Sequence, residues 1–389
     1  MLPGLLLYPC ALLSASIVLI HLLLAAGVLA NRLRDRFRRQ SPGEQPRLQV
    51  SLLVTAKDEE RFLPELLDSI LAQTLRGFEI VLVDDRSADA TGQIMERFGR
   101  KLGGRVKVLH NTREPDTRNP KQFALDLAAR EASGDILVFT DADCVVPPLW
   151  AEGLLAYFSD PRVGLVFGQL ALSGSAGFLE RFQAYDQPLI HQWNSATAGL
   201  GMPGSAFGNN LACRRVVLEE AGGFLGLGDT LTEDAALVSA AAKRGWRVRV
   251  ATDPSTMITT RPQSSWREFL FQHLRWNTGA FFHRDPGTRW PYRFIVLFLT
   301  ASVLVIPLCP WFPLLAMLPA ASFIAVGLMG FLAGALYRDE LWSYLLWLLP
   351  NTLYFMGFYA LVTILSMLQV VPEWKGRRLA GKGKDAYTI

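Results

Sequence analysis

Hydrophobic residues divide the chain into three stretches. Residues 5–30 are apolar and contain no acidic or basic residue except His21, and residues 294–371 are apolar apart from the charges at 338–340. Between them, residues 47–292 mix hydrophobic and charged positions as a soluble domain does. An apolar run of roughly 20 residues can cross about 30 Å of hydrocarbon. The pattern therefore predicts an N-terminal anchor, a folded central domain, and two or three membrane-spanning helices that follow it.

The central stretch alternates two periodicities. Short apolar runs predict strands at 48–55, 78–83, 106–109, 135–140, 163–169 and 247–251, and helical periodicity appears at 59–73, 90–102, 121–132, 216–220 and 233–244. Strands that alternate with helices favour an α/β fold with a mostly parallel sheet. Ligands of such sheets bind at the carboxyl ends of the strands. Residues 265–282 form an amphipathic segment suited to a membrane surface.

Acidic residues gather where the predicted strands end. Asp84-Asp85 and Asp141-Ala142-Asp143 each follow an apolar run, and Glu233-Asp234 opens a helix. Two carboxylates leaving one strand repel each other unless a cation neutralises them. A divalent cation, a diphosphate and a general base would use such a rim. This is the chemistry of sugar transfer from a nucleotide-sugar, and the alternative is a set of solvated loop carboxylates.

Basic residues predict the membrane topology. An Arg cluster follows the first apolar run (Arg32, Arg34, Arg36, Arg38 and Arg39), and a second cluster lies in the tail (Lys375, Arg377, Arg378, Lys382 and Lys384). By the positive-inside rule the first cluster places the N-terminus outside and the central domain in the cytoplasm. The apolar run lacks a basic start and exceeds a usual signal-peptide core, which favours an uncleaved anchor. Three C-terminal spans would put the basic tail outside and two would put it inside. Length favours three.

Charge and cysteine content exclude other classes. The formal net charge of +4 comes largely from these two clusters, which suit anionic lipid headgroups. Only one aromatic residue, Phe37, is interleaved with them, so nucleic-acid binding is not expected. The four cysteines have no paired spacing, which supports neither a disulfide framework nor a zinc site.

The chain resembles the family 2 inverting glycosyltransferases, which have the GT-A fold, and in particular their membrane-bound members with a Q-x-x-R-W motif. The resemblance covers residues 48 to about 276 and rests on motifs in the family's order. They are Thr55-Ala56-Lys57-Asp58-Glu59, Asp84-Asp85-Arg86-Ser87-Ala88-Asp89-Ala90-Thr91, Asn119-Pro120-Lys121-Gln122, Thr140-Asp141-Ala142-Asp143, Thr232-Glu233-Asp234 and Gln272-His273-Leu274-Arg275-Trp276. The chain departs from the family at Asn119-Pro120, where Gly is usual.

The resemblance implies roles on the donor side. Thr55 and Glu59 would hold the nucleotide base and ribose, although Asp58 or Glu59 could instead cap a helix. Asp85 would accept a hydrogen bond from the uracil N–H, and Asp89 would cap the next helix. Further implied donor-side residues are Lys121 beside the nucleotide, Asp141 near the ribose and metal, Asp143 as the ligand of Mg²⁺ or Mn²⁺, and Arg275 on the diphosphate.

The resemblance also implies an acceptor side. Asp234 would be the general base, next to Glu233, and the small residues at 204–215 would let an acceptor approach. Gln272, Arg275 and Trp276 share one helical face, which would meet the diphosphate and the acceptor. Arg suits a diphosphate through paired hydrogen bonds and Trp offers a stacking surface. A membrane-surface helix with snorkelling Arg and Trp is the alternative.

These features together predict a membrane-bound transferase that moves one sugar, expected from a UDP-sugar, to a lipid or glycan acceptor at the cytoplasmic leaflet of the cell membrane. A processive polysaccharide synthase is the alternative, but it needs more membrane helices and an F-x-V-G-T segment that is absent after Trp276. A non-catalytic membrane scaffold is the alternative from another class. The expected divisions are an anchor at 1–31, a basic linker at 32–46, a cytoplasmic GT-A domain at 47–264, an interface helix at 265–292, membrane helices at 293–371 and a basic tail at 372–389.

Overall fold

The computed structural model describes residues 2–40, 48–114, 119–174, 177–337 and 341–379. The described residues group into two units. A helical unit lies within Met1–Ala30, Ser175–Leu200 and Gln263–Ile389, and a sheet unit lies within Asn31–Gly174 and Gly201–Pro262.

The strands are β1 Val50–Ala56, β2 Glu79–Asp85, β3 Val106–Asn111, β4 Ile136–Asp141, β5 Val163–Gly168, β6 Leu170–Leu172, β7 Leu211–Arg214, β8 Arg247–Ala251, β9 Ile258–Thr260, β10 Glu373–Trp374 and β11 Arg377–Arg378. The α-helices are α1 Leu2–Gln40, α2 Leu63–Leu71, α3 Thr91–Leu102, α4 Pro120–Glu131, α5 Trp150–Leu155, α6 Phe178–Gly199, α7 Arg215–Glu220, α8 Gly223–Gly226, α9 Glu233–Lys243, α10 Trp266–Phe281, α11 Pro286–Leu304, α12 Met317–Tyr337 and α13 Leu341–Met367.

Seven of the described strands form one sheet in the order β3-β2-β1-β4-β7-β5-β8. Its strands run parallel except β7, which is antiparallel to β4 and β5. The central strands β1 and β4 are apolar runs with almost every residue buried, as expected for strands covered on both faces. The register pairs Thr55 with both Val83 and Asp141, so β1, β2 and β4 end side by side. The prediction of a mostly parallel α/β sheet is confirmed.

Several elements of this region are absent from the sequence-based expectations, and two of them matter for the architecture. The short strand β7 inserts between β4 and β5, and the helix α6 belongs to the helical unit. The expected catalytic domain at 47–264 had included α6. The α6 side chains Phe182, Tyr185 and Leu189 pack in one hydrophobic core with Val28 and Phe269 of the helical unit. This packing explains why α6 belongs to the helical unit.

The basic segment after the first apolar run also differs from expectation. It was expected to be a linker at 32–46, but α1 continues through it to Gln40, and residues 41–46 lie outside the described residues. Its Asp35 is buried in the sheet unit, where the Tyr157 hydroxyl donates to Oδ1. The backbone N–H and the hydroxyl of Thr252 donate to Oδ2 at 2.8 and 2.6 Å. These hydrogen bonds fix this end of α1 beside β8.

Four helical segments among the described residues are long and apolar enough to cross a membrane. They are Leu7–Arg38, Pro286–Leu308, Pro313–Ala335 and Leu345–Met367. Three of them follow the central region, the larger of the two numbers expected from the sequence. Part of the basic tail forms the hairpin of β10 and β11, whereas Lys382 and Lys384 lie outside the described residues.

Candidate active site

The turns after β1 and β2 hold each other in place. Both contain a non-glycine residue with positive φ, Asp58 at 53° and Arg86 at 59°, a conformation that L-residues adopt at a cost. The Asp58 N–H donates to the Ser87 hydroxyl oxygen at 3.0 Å, and Asp58 Oδ1 accepts from the Ala88 N–H at 2.7 Å. Because the contacts run both ways, the two turns keep a single shape at the rim of the sheet.

The start of α3 is tied to the same turns. The Glu59 N–H donates to the Thr91 hydroxyl oxygen at 2.8 Å, and Asp89 accepts from the N–H groups of Glu60 and Thr91 at 3.0 and 2.9 Å. Burial acts to raise the pKa of Asp89, but the hydrogen bonds from Thr91 and Glu60 outweigh it and hold that pKa below its usual range. Asp89 therefore joins the first residue of α3 to the β1 turn.

Asp85 is a buried carboxylate with fixed partners. The Asn111 amide donates to Oδ1 at 2.6 Å, and the Arg86 guanidinium donates to Oδ1 and Oδ2 at 3.0 and 3.1 Å. A carboxylate can accept about four hydrogen bonds in all. The geometry therefore orients Asp85 as an acceptor at the end of β2, two residues beyond Val83, the register partner of Thr55 on β1.

Lys121 connects two of the predicted acidic motifs. It lies in the first turn of α4, which starts at Pro120, a residue suited to the first position of a helix. Its ammonium group donates to Oδ1 of Asp141 at the end of β4 and lies 3.8 Å from Oε1 of Glu233. Glu233 is 4% exposed, and its Oε2 accepts a hydrogen bond from the Asn119 amide at 2.6 Å. Asp141, Lys121, Asn119 and Glu233 thus form one polar cluster.

Asp143 follows two residues after β4 and is partly exposed. The Thr260 hydroxyl lies 3.4 Å from its Oδ2, and the Cys144 thiol lies 3.6 Å from its Oδ1. Burial, followed by the charges of Asp143 and Asp141, raises the pKa of Cys144 well above its usual range, so this thiol stays protonated. Residues 2–40, 48–114, 119–174, 177–337 and 341–379 contain no group of three or more His, Cys, Asp or Glu side chains placed to hold an ion.

That donor set fits one kind of metal. Mg²⁺ is often bound through one or two carboxylates, with substrate phosphates and water as its other ligands. Asp143 offers a carboxylate of this kind at the strand end, and Asp141 has one oxygen engaged by Lys121. These described carboxylates therefore suit a hard divalent cation that is bound together with a phosphate-bearing ligand.

Asp234 lies at the second position of α9, where the helix dipole stabilises a carboxylate. The Gly208 N–H donates to its Oδ2 at 3.0 Å, and the Ala235 N–H donates to its Oδ1 at 2.8 Å. A Cβ atom added to Gly208 would lie 3.6 Å from Asp234 and 3.7 Å from Glu233. The small-residue segment predicted for the acceptor side thus runs directly past Asp234, which stays partly exposed.

Two residues of α4 that received no role in the sequence analysis, Gln122 and Asp126, support this arrangement. The Gln122 amide donates to the carbonyl oxygens of Phe224 and Gly228 at 2.6 and 2.8 Å, and Asp126 accepts from the Leu225 N–H at 3.2 Å. The turn they hold begins with Gly223, whose φ is 76°. The Gly222-Gly223 pair was the available signal, since positive φ favours glycine.

The Q-x-x-R-W residues lie on α10 in the helical unit. The Ser265 side chain caps this helix by accepting from the Glu268 N–H at 3.2 Å. Gln272, Arg275 and Trp276 are all half-buried, and their spacing places them on one face. The other eight predicted site residues lie on the sheet unit (Thr55, Glu59, Asp85, Lys121, Asp141, Asp143, Glu233 and Asp234).

A family model described as "Glycosyl transferase family 21" matches residues 7–384. The "Probable glycosyltransferase YdaM" of Bacillus subtilis is 27% identical over 251 residues, which is 62% of this chain and 57% of that protein. The "Beta-monoglucosyldiacylglycerol synthase" of Synechocystis sp. is 26% identical over 250 residues, which is 63% of this chain and 50% of that protein. The matches thus span about half the length of these two relatives.

Among solved structures, the mannosyltransferase PcManGT from Pyrobaculum calidifontis, in complex with GDP-Man and Mn²⁺, has a similar fold. The TM-score is 0.52 at 22% identity, and the match covers 90% of this chain and 99% of that one. At this level of identity the likeness bears on the fold alone.

Proposed function

The chain belongs to glycosyl transferase family 21, and on that basis we propose that it moves one sugar from a nucleotide-sugar, expected to be a UDP-sugar, to a lipid at the cytoplasmic leaflet, with inversion at the anomeric carbon. The contact of Lys121 with both Asp141 and Glu233 carries the proposal. It brings together the end of β4, which leads into Asp141-Ala142-Asp143, and the start of α9, which bears Asp234. A donor and a base can then meet there.

The rim of β1, β2 and β4 would bind the nucleotide. Thr55 and Glu59 would lie along the base and ribose, and Asp85 would accept from the base N–H. Asp85 suits this task because Asn111 and Arg86 fix both of its oxygens. A hydrogen-bond acceptor that is already oriented can recognise a base with little reorganisation on binding.

Asp143 would hold Mg²⁺ or Mn²⁺ together with the donor diphosphate. Such an ion, when bound, would neutralise charge on the leaving diphosphate. The Lys121 ammonium would add a second positive charge beside Asp141. On α10, Arg275 would bind phosphate oxygens and Trp276 would stack against the acceptor, with Gln272 beside them.

Asp234 would act as the general base. The acceptor hydroxyl oxygen would attack the anomeric carbon as its proton moves to Asp234, and the bond to the diphosphate oxygen would break with its electron pair leaving on the nucleoside diphosphate. Attack opposite the leaving group needs only this one base and inverts the anomeric centre. The backbone N–H groups of Gly208 and Ala235 keep the carboxylate oriented toward the small-residue segment.

Two features support a lipid acceptor. Four described helical segments are long and apolar enough to cross a membrane, and the Synechocystis relative is by name a synthase of a glycolipid. The Arg cluster at the C-terminal end of the first such segment supports a cytoplasmic catalytic unit in a multi-pass cell-membrane protein. A surface-held site would receive its acceptor by diffusion within the leaflet.

The proposal is tested by transfer assays on the full chain in nanodiscs, with a panel of nucleotide-sugars and lipid extracts as acceptors. We expect a product one sugar heavier than its lipid, detected by mass spectrometry, and its loss in Asp234→Asn. Asp68→Asn is the matched control because it makes the same chemical change at an exposed position of α2. A ladder of polymer lengths would favour a polysaccharide synthase. Absence of both transfer and nucleotide binding would favour a scaffold.

A further inference from the structure

A buried histidine lies inside the Q-x-x-R-W motif. His273 follows Gln272 on α10, and its side chain is 1% exposed. Its Nδ1 lies 2.9 Å from the carbonyl oxygen of Phe269, one helical turn earlier. Its Nε2 lies 2.7 Å from Oδ2 of Asp186, whose side chain on α6 is fully buried. All of these residues belong to the helical unit.

The position of each proton follows from these partners. A carbonyl oxygen only accepts, so Nδ1 of His273 must be the donor to Phe269. Nε2 and Oδ2 of Asp186 then share one proton, either as an imidazolium with a carboxylate or as a neutral imidazole with a carboxylic acid. In both cases the two ring nitrogens are hydrogen-bonded on opposite sides. The imidazole therefore has one orientation.

The fixed imidazole touches the tryptophan of the motif. The ring centroids of His273 and Trp276 are 4.9 Å apart at an angle of 64°, an edge-to-face contact. On its other sides His273 meets Phe269 at 4.1 Å and Phe358 at 5.2 Å. The indole of Trp276 thus contacts a ring whose orientation is fixed by hydrogen bonds.

We propose that the His273–Asp186 pair positions Trp276, so that the indole presents one stacking face to the acceptor. This inference rests on the proposed function only because that function supplies the acceptor against which Trp276 stacks. The pair itself touches neither substrate. It acts through the indole and is a positioning pair.

Stability alone does not account for a pair of this kind. Burying two ionisable groups costs solvation free energy, and well-packed apolar residues of similar volume often replace such a pair without loss. Aromatic rings already surround the site, and Asp186 Oδ1 accepts no hydrogen bond from the described residues. The carboxylate is therefore placed for a single contact, the one that orients His273.

The test separates orientation from packing. In the double variant Asp186→Leu/His273→Phe the pair is replaced by apolar groups. We expect its melting temperature to stay within a few degrees of the wild type, while the rate of lipid glycosylation falls about tenfold, which corresponds to roughly 1.4 kcal/mol. UDP affinity should not change. Asp186→Asn should keep nearly full transfer, because its amide can donate to Nε2 of a neutral imidazole.

Coupling to Trp276 provides the decisive comparison. Once Trp276→Ala has removed the indole, adding the double substitution should reduce transfer by no more than about twofold, since groups that act as a unit are not additive. A further tenfold loss in that background, or wild-type transfer by the double variant alone, would overturn the proposal.

A readout that needs no transfer keeps the pair testable if the proposed function fails. When fluorotryptophan is incorporated, the fluorine NMR resonance of Trp276 is assigned from its loss in Trp276→Phe. We expect that resonance to be single in the wild type and in Asp186→Asn, and to broaden or split in the double variant. An unchanged resonance in the double variant would show that the pair does not orient the indole.

Discussion

The side-chain amide of Asn119 donates a hydrogen bond to Oε2 of Glu233 at 2.6 Å. This contact joins the residue before α4 to the first residue of α9, across 114 positions of the sequence. Together with Lys121, this contact holds the Glu233 carboxylate directly beside Asp234, and Glu233 is only 4% exposed. Asn119, in the Asn119-Pro120 pair where the sequence departs from the resembling family, therefore supports the start of α9, the helix that bears Asp234.

Replacing Asn119 by Ala should destabilise the sheet unit and slow transfer. A buried acceptor left without its donor costs about 1–3 kcal/mol, which should appear as a lower melting temperature by differential scanning fluorimetry. Asn119→Asp should be worse, because it places a second carboxylate against Glu233. Gln93→Ala, at an exposed amide on α3, is the control and should melt like the wild type. Equal melting temperatures for all four proteins would contradict the role of Asn119.

Lys121 should matter chiefly for donor affinity. Lys121→Met keeps the length of the side chain but leaves Asp141 and Glu233 without its positive charge. An anionic diphosphate would then meet more negative charge. Loss of a charge-assisted bond worth about 1.5–3 kcal/mol predicts roughly ten- to hundredfold weaker UDP binding by calorimetry. Lys121→Arg should retain part of the affinity, and UDP binding by Lys121→Met at the wild-type Kd would contradict the assignment.

The fold was largely predictable because the central strands are continuous apolar runs ended by acids. The expected strand at 135–140 is β4 at Ile136–Asp141, and the one at 247–251 is β8 without change. The antiparallel β7 has only four residues, and it pairs with strands distant in sequence, which no local pattern reveals.

The helix α6 escaped prediction for a different reason. Its buried residues include polar ones such as Gln183, Asp186 and Gln192, and Pro188 lies inside it, so hydrophobic periodicity is weak. The acidic residues that follow the predicted strands indicated, from the sequence alone, which carboxylates lie at the edge of the sheet. The partners that orient them could not be foreseen, because contacts such as Gly208 with Asp234 depend on the tertiary fold.

Donor binding should require a divalent cation through Asp143. Asp143→Ala should weaken UDP binding as strongly as EDTA does, and EDTA should have no additional effect on the variant, because both remove the same ion. Calorimetry with and without Mn²⁺ measures this. Cys144→Ala is a useful control, since its thiol is protonated and should not be a ligand. UDP affinity that is indifferent to both EDTA and Asp143→Ala would contradict the metal role.

His110 predicts a pH-dependent contribution to stability near the β2 turn. Hydrogen bonding to Glu96 is the main effect that raises its pKa above the ordinary value of 6.5, and Asp84 adds to it. Nε2 lies 2.9 Å from Glu96 and Nδ1 lies 3.2 Å from Asp84, so the imidazolium donates to both. A raised pKa means that this stabilisation is fully present below pH 6.5 and is lost as pH rises through the folded-state pKa.

The measurement compares melting temperatures of wild type and His110→Gln between pH 6 and 9. The wild-type advantage should shrink as pH rises. In Glu96→Gln the main cause of the raised pKa is gone, so the same loss should occur at lower pH. An advantage that grows toward pH 9 would contradict the assignment.

Asp234 should affect the chemical step and leave donor binding almost unchanged. Asp234→Asn keeps the shape of the side chain, and its amide oxygen can still accept from the Gly208 N–H, but it cannot take a proton from the acceptor. Transfer should therefore fall by roughly 10²–10⁴-fold, while UDP affinity stays within a few fold. Asp143→Asn should instead weaken UDP binding itself, so the two variants separate base from metal ligand. Near-wild-type transfer by Asp234→Asn at saturating acceptor would move the base elsewhere, and Glu233→Gln would then be the variant to measure. Since Glu233 is buried against Asn119 and Lys121, its carboxylate is the less accessible to an acceptor hydroxyl, and this is the structural reason for assigning the base to Asp234.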